Sequence, residues 1–336
     1  MEPLVKMEDL HVEFETHAGV VQAVRGVTLD INEGEVLALV GESGCGKSVT
    51  AQSILKLVPS PPGRITRGEI YFAGEDLIRK SEKDLQRIRG RDIGFIFQDP
   101  MTSLNPTMKV GSQIIEVLKR HGERDRDKNR RRLLDLFNLV GIPHPERRVN
   151  QYPHQFSGGM RQRAMAAMAL ACSPRLLIAD EPTTAVDVTI QAQIIELLRD
   201  LQKKTGMSIL LITHDLALVA GFAQRVAVMY AGKIVETGPA RDVIGRPGHP
   251  YTRGLLASLP GLEALREERL ATIPGRPPVL IDPPPGCPFW PRCPGAMNIC
   301  TKIEPGETAI EEGKRVSCWL VHPMAAGASP EGAVVG

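Results

Sequence analysis

The sequence predicts an α/β fold in which a parallel sheet carries a phosphate-binding loop. An antiparallel β region precedes that loop, a helical insertion interrupts the sheet and a loop-rich extension follows it. Three observations predict this arrangement. Residues 41–48 read Gly-Glu-Ser-Gly-Cys-Gly-Lys-Ser directly behind the apolar run Val36-Leu37-Ala38-Leu39-Val40, which is a GxxxxGKS turn between a strand and a helix. Residues 176–179 and Ser208–Thr213 are largely apolar runs of strand length, the pattern of parallel strands buried on both faces. Beyond residue 246 the chain becomes dense in Gly and Pro, with Pro274, Pro277, Pro278, Pro283, Pro284 and Pro285. Proline fixes φ and lacks an N–H, so helix and central strand are disfavoured there.

Taken in order, residues 4–40 alternate apolar and polar positions (Leu10, Val12, Phe14; Val27, Leu29, Ile31), with turn signals at Ala18-Gly19 and Glu33-Gly34. Paired antiparallel strands are expected. The loop at 41–48 opens a helix over residues 47–56, and Pro59 to Gly63 is a loop. A short strand follows at 69–72, and Ser81 starts a helix with Asp84 as an approximate capping box. Residues 93–97 return as a strand. From 110 to 171 the apolar spacing is helical, at Ile114, Ile115 and Leu118 and again at Leu133, Leu134, Phe137 and Val140. The charged run 124–132 reads as a solvated helix face. A helix at 189–204 joins the two apolar strands, further strands are expected at Arg225–Tyr230 and 233–237, and Gly238-Pro239 closes the main domain. Residues 324–336 have the composition of a disordered tail.

At 336 residues the chain can hold one large α/β domain and an appendage. Its 41 Lys+Arg against 39 Asp+Glu leave a formal charge of +2, which argues against a broad footprint for nucleic acid or an anionic membrane surface. Met1-Glu2-Pro3-Leu4 lacks the pattern of a signal peptide, and no apolar run approaches the ~18 residues that span a bilayer. A cytosolic chain is expected. In that compartment the six cysteines are not expected to pair as structural disulfides.

The phosphate-binding loop explains its own composition. Gly41, Gly44 and Gly46 keep side chains away while the backbone N–H groups of Ser43, Cys45, Val49 and their neighbours turn towards the phosphates. Lys47 would reach the β- and γ-phosphates and the Ser48 hydroxyl would ligate Mg²⁺. The strand at 176–179 ends in Asp180-Glu181; Asp180 is placed to hold Mg²⁺ and Glu181 to polarise an attacking water. Phe156-Ser157-Gly158-Gly159-Met160-Arg161-Gln162-Arg163 puts a Ser and two glycines at the mouth of a second helix. Ser157 is a good N-cap, and the exposed N–H groups of Gly158 and Gly159 form a second anion-facing surface.

With these motifs in this order, the chain resembles the nucleotide-binding subunit of an ATP-binding-cassette (ABC) transporter over residues 4–240. The resemblance implies a RecA-like parallel core with an antiparallel β-subdomain and an α-helical subdomain at about 100–172. It also implies ATP hydrolysis with Mg²⁺, and two nucleotide sites shared head to tail with a second ATPase subunit. Gln98 in Phe97-Gln98-Asp99-Pro100 matches the Q-loop glutamine that touches Mg²⁺. Asp187 in Thr184-Ala185-Val186-Asp187 matches the D-loop, and His214 in Ile212-Thr213-His214-Asp215 matches the switch histidine on the γ-phosphate. The chain departs from the common pattern at Met160, where Gln is frequent, and at Val186, where Leu is. Phe14 is the candidate for stacking on adenine, although alignment on the 27–29 strand lands on Ala18 and a strand Phe packing into the core explains it equally well.

Residues 152–163 and Gly248-His249-Pro250-Tyr251-Thr252 further resemble the ATPases of oligopeptide, dipeptide and nickel importers, whose extension would occupy 241–323. By physics alone, His249-Pro250-Tyr251 starts a helix, with Pro in its first turn. That resemblance implies two transmembrane permease subunits, a related but non-identical ATPase partner, an extracytoplasmic substrate-binding protein and a peripheral place on the cytoplasmic face of the membrane. Peptides are the expected cargo, with nickel or another small solute as the alternative. Cys287, Cys293, Cys300 and Cys318 are separated by five, six and seventeen residues. Four thiols in one Pro-rich segment suggest a metal cage, and a four-thiolate iron–sulfur cluster fits them. Zinc, which favours tight Cys-x-x-Cys pairs, and unliganded thiols are the alternatives; some importers of this type carry a [4Fe-4S] centre at such a motif. Two rival readings are a soluble cassette ATPase acting on ribosomes or DNA, and a redox switch in which the cysteines govern the ATPase.

Overall fold

The computed structural model describes residues 2–98, 103–182, 188–258 and 272–324. Alternating burial makes β1 (Val5–Thr16) and β2 (Gly19–Ile31) two-faced strands, whereas every residue of β3 (Val36–Val40) is buried. Helix α1 (Lys47–Ile54), strands β4 (Gly63–Phe72) and β5 (Glu75–Asp76) and helix α2 (Glu82–Ile88) follow. Ser81 caps α2 by accepting the Asp84 N–H at 3.3 Å, as the capping pattern predicts. Strand β6 (Ile93–Ile96) precedes the helices α3 (Val110–Arg120), α4 (Arg126–Leu139), α5 (Pro145–Arg148) and α6 (Gly158–Ala169). Then come β7 (Leu176–Asp180), α7 (Val188–Thr205), β8 (Ser208–Thr213), α8 (Leu216–Val219), β9 (Arg225–Tyr230) and β10 (Lys233–Pro239). The last elements are α9 (Ala240–Gly245), α10 (Pro250–Ala257), β11 (Thr308–Glu311) and β12 (Lys314–Val316).

The chain divides into two units, one of residues 1–30, 37–78 and 213–336, the other of residues 31–36 and 79–212. In the first, one sheet has the order β2-β1-β4-β5 and another run has the order β11-β12-β10-β9-β3. Strands β1 and β4 pair antiparallel from Val5↔Phe72 to Phe14↔Gly63, with irregularities between Glu8 and Val12. Strand β3 pairs parallel with β9, Leu37 opposite Arg225 and Val40 opposite Val228, and this pairing fixes where the phosphate-binding loop leaves the sheet. The core beneath it combines Val40, Val226, Val228 and Tyr230 with Tyr251, Phe289 and Trp319 of the C-terminal part.

The second unit holds the parallel strands β6, β7 and β8, with Ile93 opposite Leu176 and Leu176 opposite Ser208. Strands β7 and β8 are buried at every residue, as their continuous apolar sequence predicts. Helix α3 packs against α4 and α6, and Ile114 and Leu118 of α3 and Leu133, Leu136 and Phe137 of α4 are buried.

The extension is more regular than its proline content predicts. Strands β11 and β12 form a hairpin turned at Gly313 (φ 72°), and β12 continues the sheet by pairing with β10, Glu236 opposite Val316. The hairpin lies beyond the proline-rich stretch, where the backbone N–H groups needed for a ladder are present. Of the expected tail only Met324 is described; residues 325–336 lie outside the described residues, as do 99–102, 183–187 and 259–271. Among the described residues no helix is long and apolar enough to cross a membrane.

Candidate nucleotide-binding site

The loop at 41–48 is shaped by contact with the next strand. A Cβ on Gly41 would lie 2.1 Å from the Met229 carbonyl oxygen, so only glycine lets the loop pass that close to β9. Gly44 (φ 79°) and Gly46 (φ 106°) take left-handed backbone, which glycine adopts without penalty. Gly46 caps α1, accepting the Thr50 N–H at 2.9 Å. The Lys47 ammonium is buried and donates to the carbonyls of Gly41 (2.8 Å) and Glu42 (3.0 Å). Ser43 and Gly44 are exposed, Ser48 and Val49 are half-buried, and Cys45 is buried with its thiol 4.0 Å from Lys47 Nζ. Burial pushes the Cys45 thiol up despite the lysine beside it. His214 is exposed between Thr213 and Asp215, whose carboxylate caps α8 through the Ala217 N–H at 2.8 Å. Phe14 is half-buried in β1, with its ring against Gly63.

In the second unit, Asp180 is buried at the end of β7 and Glu181 follows with φ 43°, a left-handed conformation uncommon outside glycine. The Glu181 N–H donates to Ile212 O at 3.0 Å, and its carboxylate accepts the Gln98 side-chain amide at 3.0 Å. The structure therefore joins the predicted glutamine to the predicted water-polarising acid. Ser157 caps α6 by accepting the Met160 N–H at 3.3 Å, leaving Gly158 and Gly159 at the helix tip, where a Cβ on Gly158 would meet nothing within 4 Å. The buried Gln162 amide donates to Pro182 O at 3.1 Å, tying this helix to the residue after Glu181. Asp187, with the rest of the D-loop stretch, lies outside the described residues.

The matches with known proteins fall on these same segments. Residues 24–184 match the family described as "ABC transporter", and residues 235–300 the family described as "Oligopeptide/dipeptide transporter, C-terminal region". The chain is 57% identical to the oligopeptide transport ATP-binding protein OppD of Bacillus subtilis (strain 168), covering 98% of this chain and 92% of the relative. This chain belongs to the ABC transporter family. Within it, the dipeptide transport ATP-binding protein DppD of Escherichia coli (strain K12) is 50% identical, covering 94% of this chain and 96% of that protein. Among solved structures, the post-hydrolysis dimer of the ATP-binding cassette MJ0796 bound to ADP and Pi superposes with a TM-score of 0.63 at 28% identity, covering 70% of this chain and 99% of that one. As an ABC protein the chain is an ATPase.

The C-terminal part of this ABC protein makes polar contacts with the loop that the sequence did not single out. The Glu42 N–H donates to the Tyr251 hydroxyl at 2.8 Å, and the Glu42 carboxylate takes two bonds from Arg292, at 2.7 and 2.9 Å. Tyr251 comes from α10, which starts as predicted: Pro250 stands in its first turn and His249 Nδ1 accepts the Tyr251 N–H at 3.0 Å. Glu42 falls at an unrestricted position of the loop motif, and its partners are more than 200 residues away, so no local pattern could have announced them.

All six cysteines are free of disulfides. Cys287, Cys300 and Cys318 are buried and Cys293 is partly so. Burial raises the Cys287 thiol to about 12 and Cys318 to about 11, and neighbouring thiols of the set push each of them in the same direction. The four therefore lie within electrostatic reach of one another. Yet among the described residues no group of three or more His, Cys, Asp or Glu side chains is arranged to hold a metal ion.

Proposed function

We propose that this ATPase powers import of di- and oligopeptides through the cytoplasmic membrane. The observation that carries the reading is identity of 50–57% over nearly the whole chain to proteins named for oligopeptide and dipeptide transport, the C-terminal region included. In this reading residues 1–240 are the nucleotide-binding domain, with a helical subdomain at about 100–172, and residues 241–323 are the importer-type extension. The chain sits peripherally on the cytoplasmic face. It works with two permease subunits, a second and related ATPase subunit, and a substrate-binding protein outside the membrane.

The proposed roles follow from donor chemistry. Lys47 and the N–H groups of Gly41 and of residues 43–49 bind the β- and γ-phosphates. The Ser48 hydroxyl, the Asp180 carboxylate and the Gln98 amide offer the oxygen ligands that Mg²⁺ takes, and the bound ion would neutralise developing phosphate charge. Glu181, held by Gln98, orients and polarises the attacking water, and His214 contacts the γ-phosphate. The Ser157-Gly158-Gly159 helix tip and Asp187 close on nucleotide bound to the partner ATPase, and Phe14 stacks on adenine. The dimeric state of MJ0796 with ADP and Pi supports the shared-site arrangement.

For Cys287, Cys293, Cys300 and Cys318 we propose a [4Fe-4S] cluster. Four unpaired soft thiols within mutual reach support it, and a polynuclear cluster binds its thiolates at separate corners rather than around one ion. Zinc, which favours tight Cys-x-x-Cys pairs, is the alternative. No step of ATP hydrolysis runs through these residues. Purification from solubilised membranes tests the whole reading. Permease subunits and a second ATPase should co-purify, and anaerobic protein should contain iron and acid-labile sulfide that a Cys300→Ser variant lacks. Co-purification with ribosomes would overturn the importer reading, and zinc or no metal at the thiols would overturn the cluster.

A further inference from the structure

Every polar group of Glu42 is engaged. Its N–H donates to Tyr251, its carbonyl accepts from Lys47, and both carboxylate oxygens accept from Arg292. The Arg292 side chain is only 4% exposed. Its Nε donates to Pro274 O at 2.8 Å, its Nη1 also reaches the Tyr230 hydroxyl at 3.3 Å, and its guanidinium lies 5.8 Å from the Tyr230 ring centre. Arg292 ends a 3₁₀ turn, Trp290–Arg292, set between Cys287 and Cys293. That turn is closed by Trp290 N–H to Cys287 O (3.1 Å) and Cys293 N–H to Trp290 O (3.2 Å). One arginine thus connects the cysteine-bearing turn to the second residue of the phosphate-binding loop.

We propose that Arg292 is a positioning residue for ATP: its paired bonds to Glu42 hold the phosphate-binding loop in its binding-competent shape for as long as the cysteine-bearing turn is folded. A loop with three glycines in eight residues has unusual backbone freedom. Its phosphate affinity falls in proportion to the fraction of time that its N–H groups converge. A bidentate arginine–carboxylate pair whose guanidinium is buried is the strong, directional contact that can set that fraction. Arg292 bonds the loop rather than the phosphates, so its influence ends once ATP has ordered the loop. Binding changes while the chemical step does not. The inference rests on ATP binding at this loop and requires nothing bound at the thiols.

The test uses the full-length chain in its assembled complex, with ATPase kinetics and titration of a fluorescent ATP analogue. Arg292→Met and Glu42→Gln should each raise KM and the analogue's Kd about tenfold, with kcat changed by less than about twofold. The double variant should be no worse than the poorer single one, and Arg292→Lys should fall between. Unchanged KM in both single variants, additive losses in the double, or a fall in kcat at constant KM would each overturn the proposal. Should Arg292→Met fail to fold, Glu42→Gln removes the same pair from the loop side and leaves the extension intact. Failure of the ATPase assignment is distinct, because the unmodified chain would then show no turnover.

Discussion

Gly41→Ala probes the construction of the phosphate-binding loop directly. The added Cβ would lie 2.1 Å from Met229 O, 2.8 Å from Cys45 Sγ and 3.2 Å from the Met229 carbonyl carbon, where ordinary contact begins at 3.4 Å. Met229 is fully buried in β9, so its backbone cannot swing away as an exposed side chain would. Loop and strand must separate by about 1 Å, an overpacking that costs about 1–3 kcal/mol. The shift also displaces Glu42, whose N–H and carboxylate are held by Tyr251 and Arg292, so ATP binding should fall with stability. Gly44→Ala is the control within the same loop. Its Cβ would meet nothing within 4 Å, and only the φ of 79° resists it, a cost of about 1 kcal/mol. Urea unfolding with parallel ATP titration compares the two. A Gly41→Ala protein with the unfolding midpoint and ATP affinity of the unmodified chain, or one less affected than Gly44→Ala, would refute the reasoning.

Further outcomes follow from other parts of the structure. Lys47→Ala should abolish ATP binding, whereas Glu181→Gln should retain binding and lose steady-state hydrolysis by about 10² or more, as separate nucleotide-binding and phosphate-release assays would show. Burial lowers the His249 imidazole from 6.5 to about 3. Between those values the unfolded chain takes up a proton that the folded chain refuses, so stability is lost as pH falls below about 6.5, by about 1.4 kcal/mol per unit. His249→Asn, which keeps a capping acceptor, should flatten that slope in unfolding measured from pH 7 to 5; an unchanged slope would contradict it. Lys314 is buried against Glu236 at 3.4 Å and also donates to the carbonyls of Asp242 and Arg246. Lys314→Met should cost about 3–5 kcal/mol by stranding a buried carboxylate, read from the urea midpoint.

Much of the fold was legible because its signals are local. The five buried residues of β3 and the fully buried β7 and β8 announced a parallel sheet by their continuous apolarity, and the alternation of β1 and β2 announced a two-faced one. Ser81, Ser157 and His249 cap the helices that their positions predict. The β11–β12 hairpin escaped because proline density was applied to the whole extension, although Glu312-Gly313 between alternating residues is a turn signal. At the candidate site, the Gln98–Glu181 bond joins two residues chosen separately from motifs. The left-handed backbone of Glu181 has no signature in residue type, because glutamate carries no preference for it. Arg292 and Tyr251 were invisible as partners of Glu42, since their pairing is made by the folding of distant segments onto one loop.

ATP-driven uptake of a labelled oligopeptide into proteoliposomes tests the central claim most directly. The vesicles would contain this chain with its permease and ATPase partners, and the binding protein would be supplied outside. Uptake should require ATP on the side of this chain and disappear with Lys47→Ala, while the vesicles still bind peptide-loaded binding protein. Peptide accumulation that continues with Lys47→Ala, or ATP hydrolysis that never moves peptide, would contradict the account.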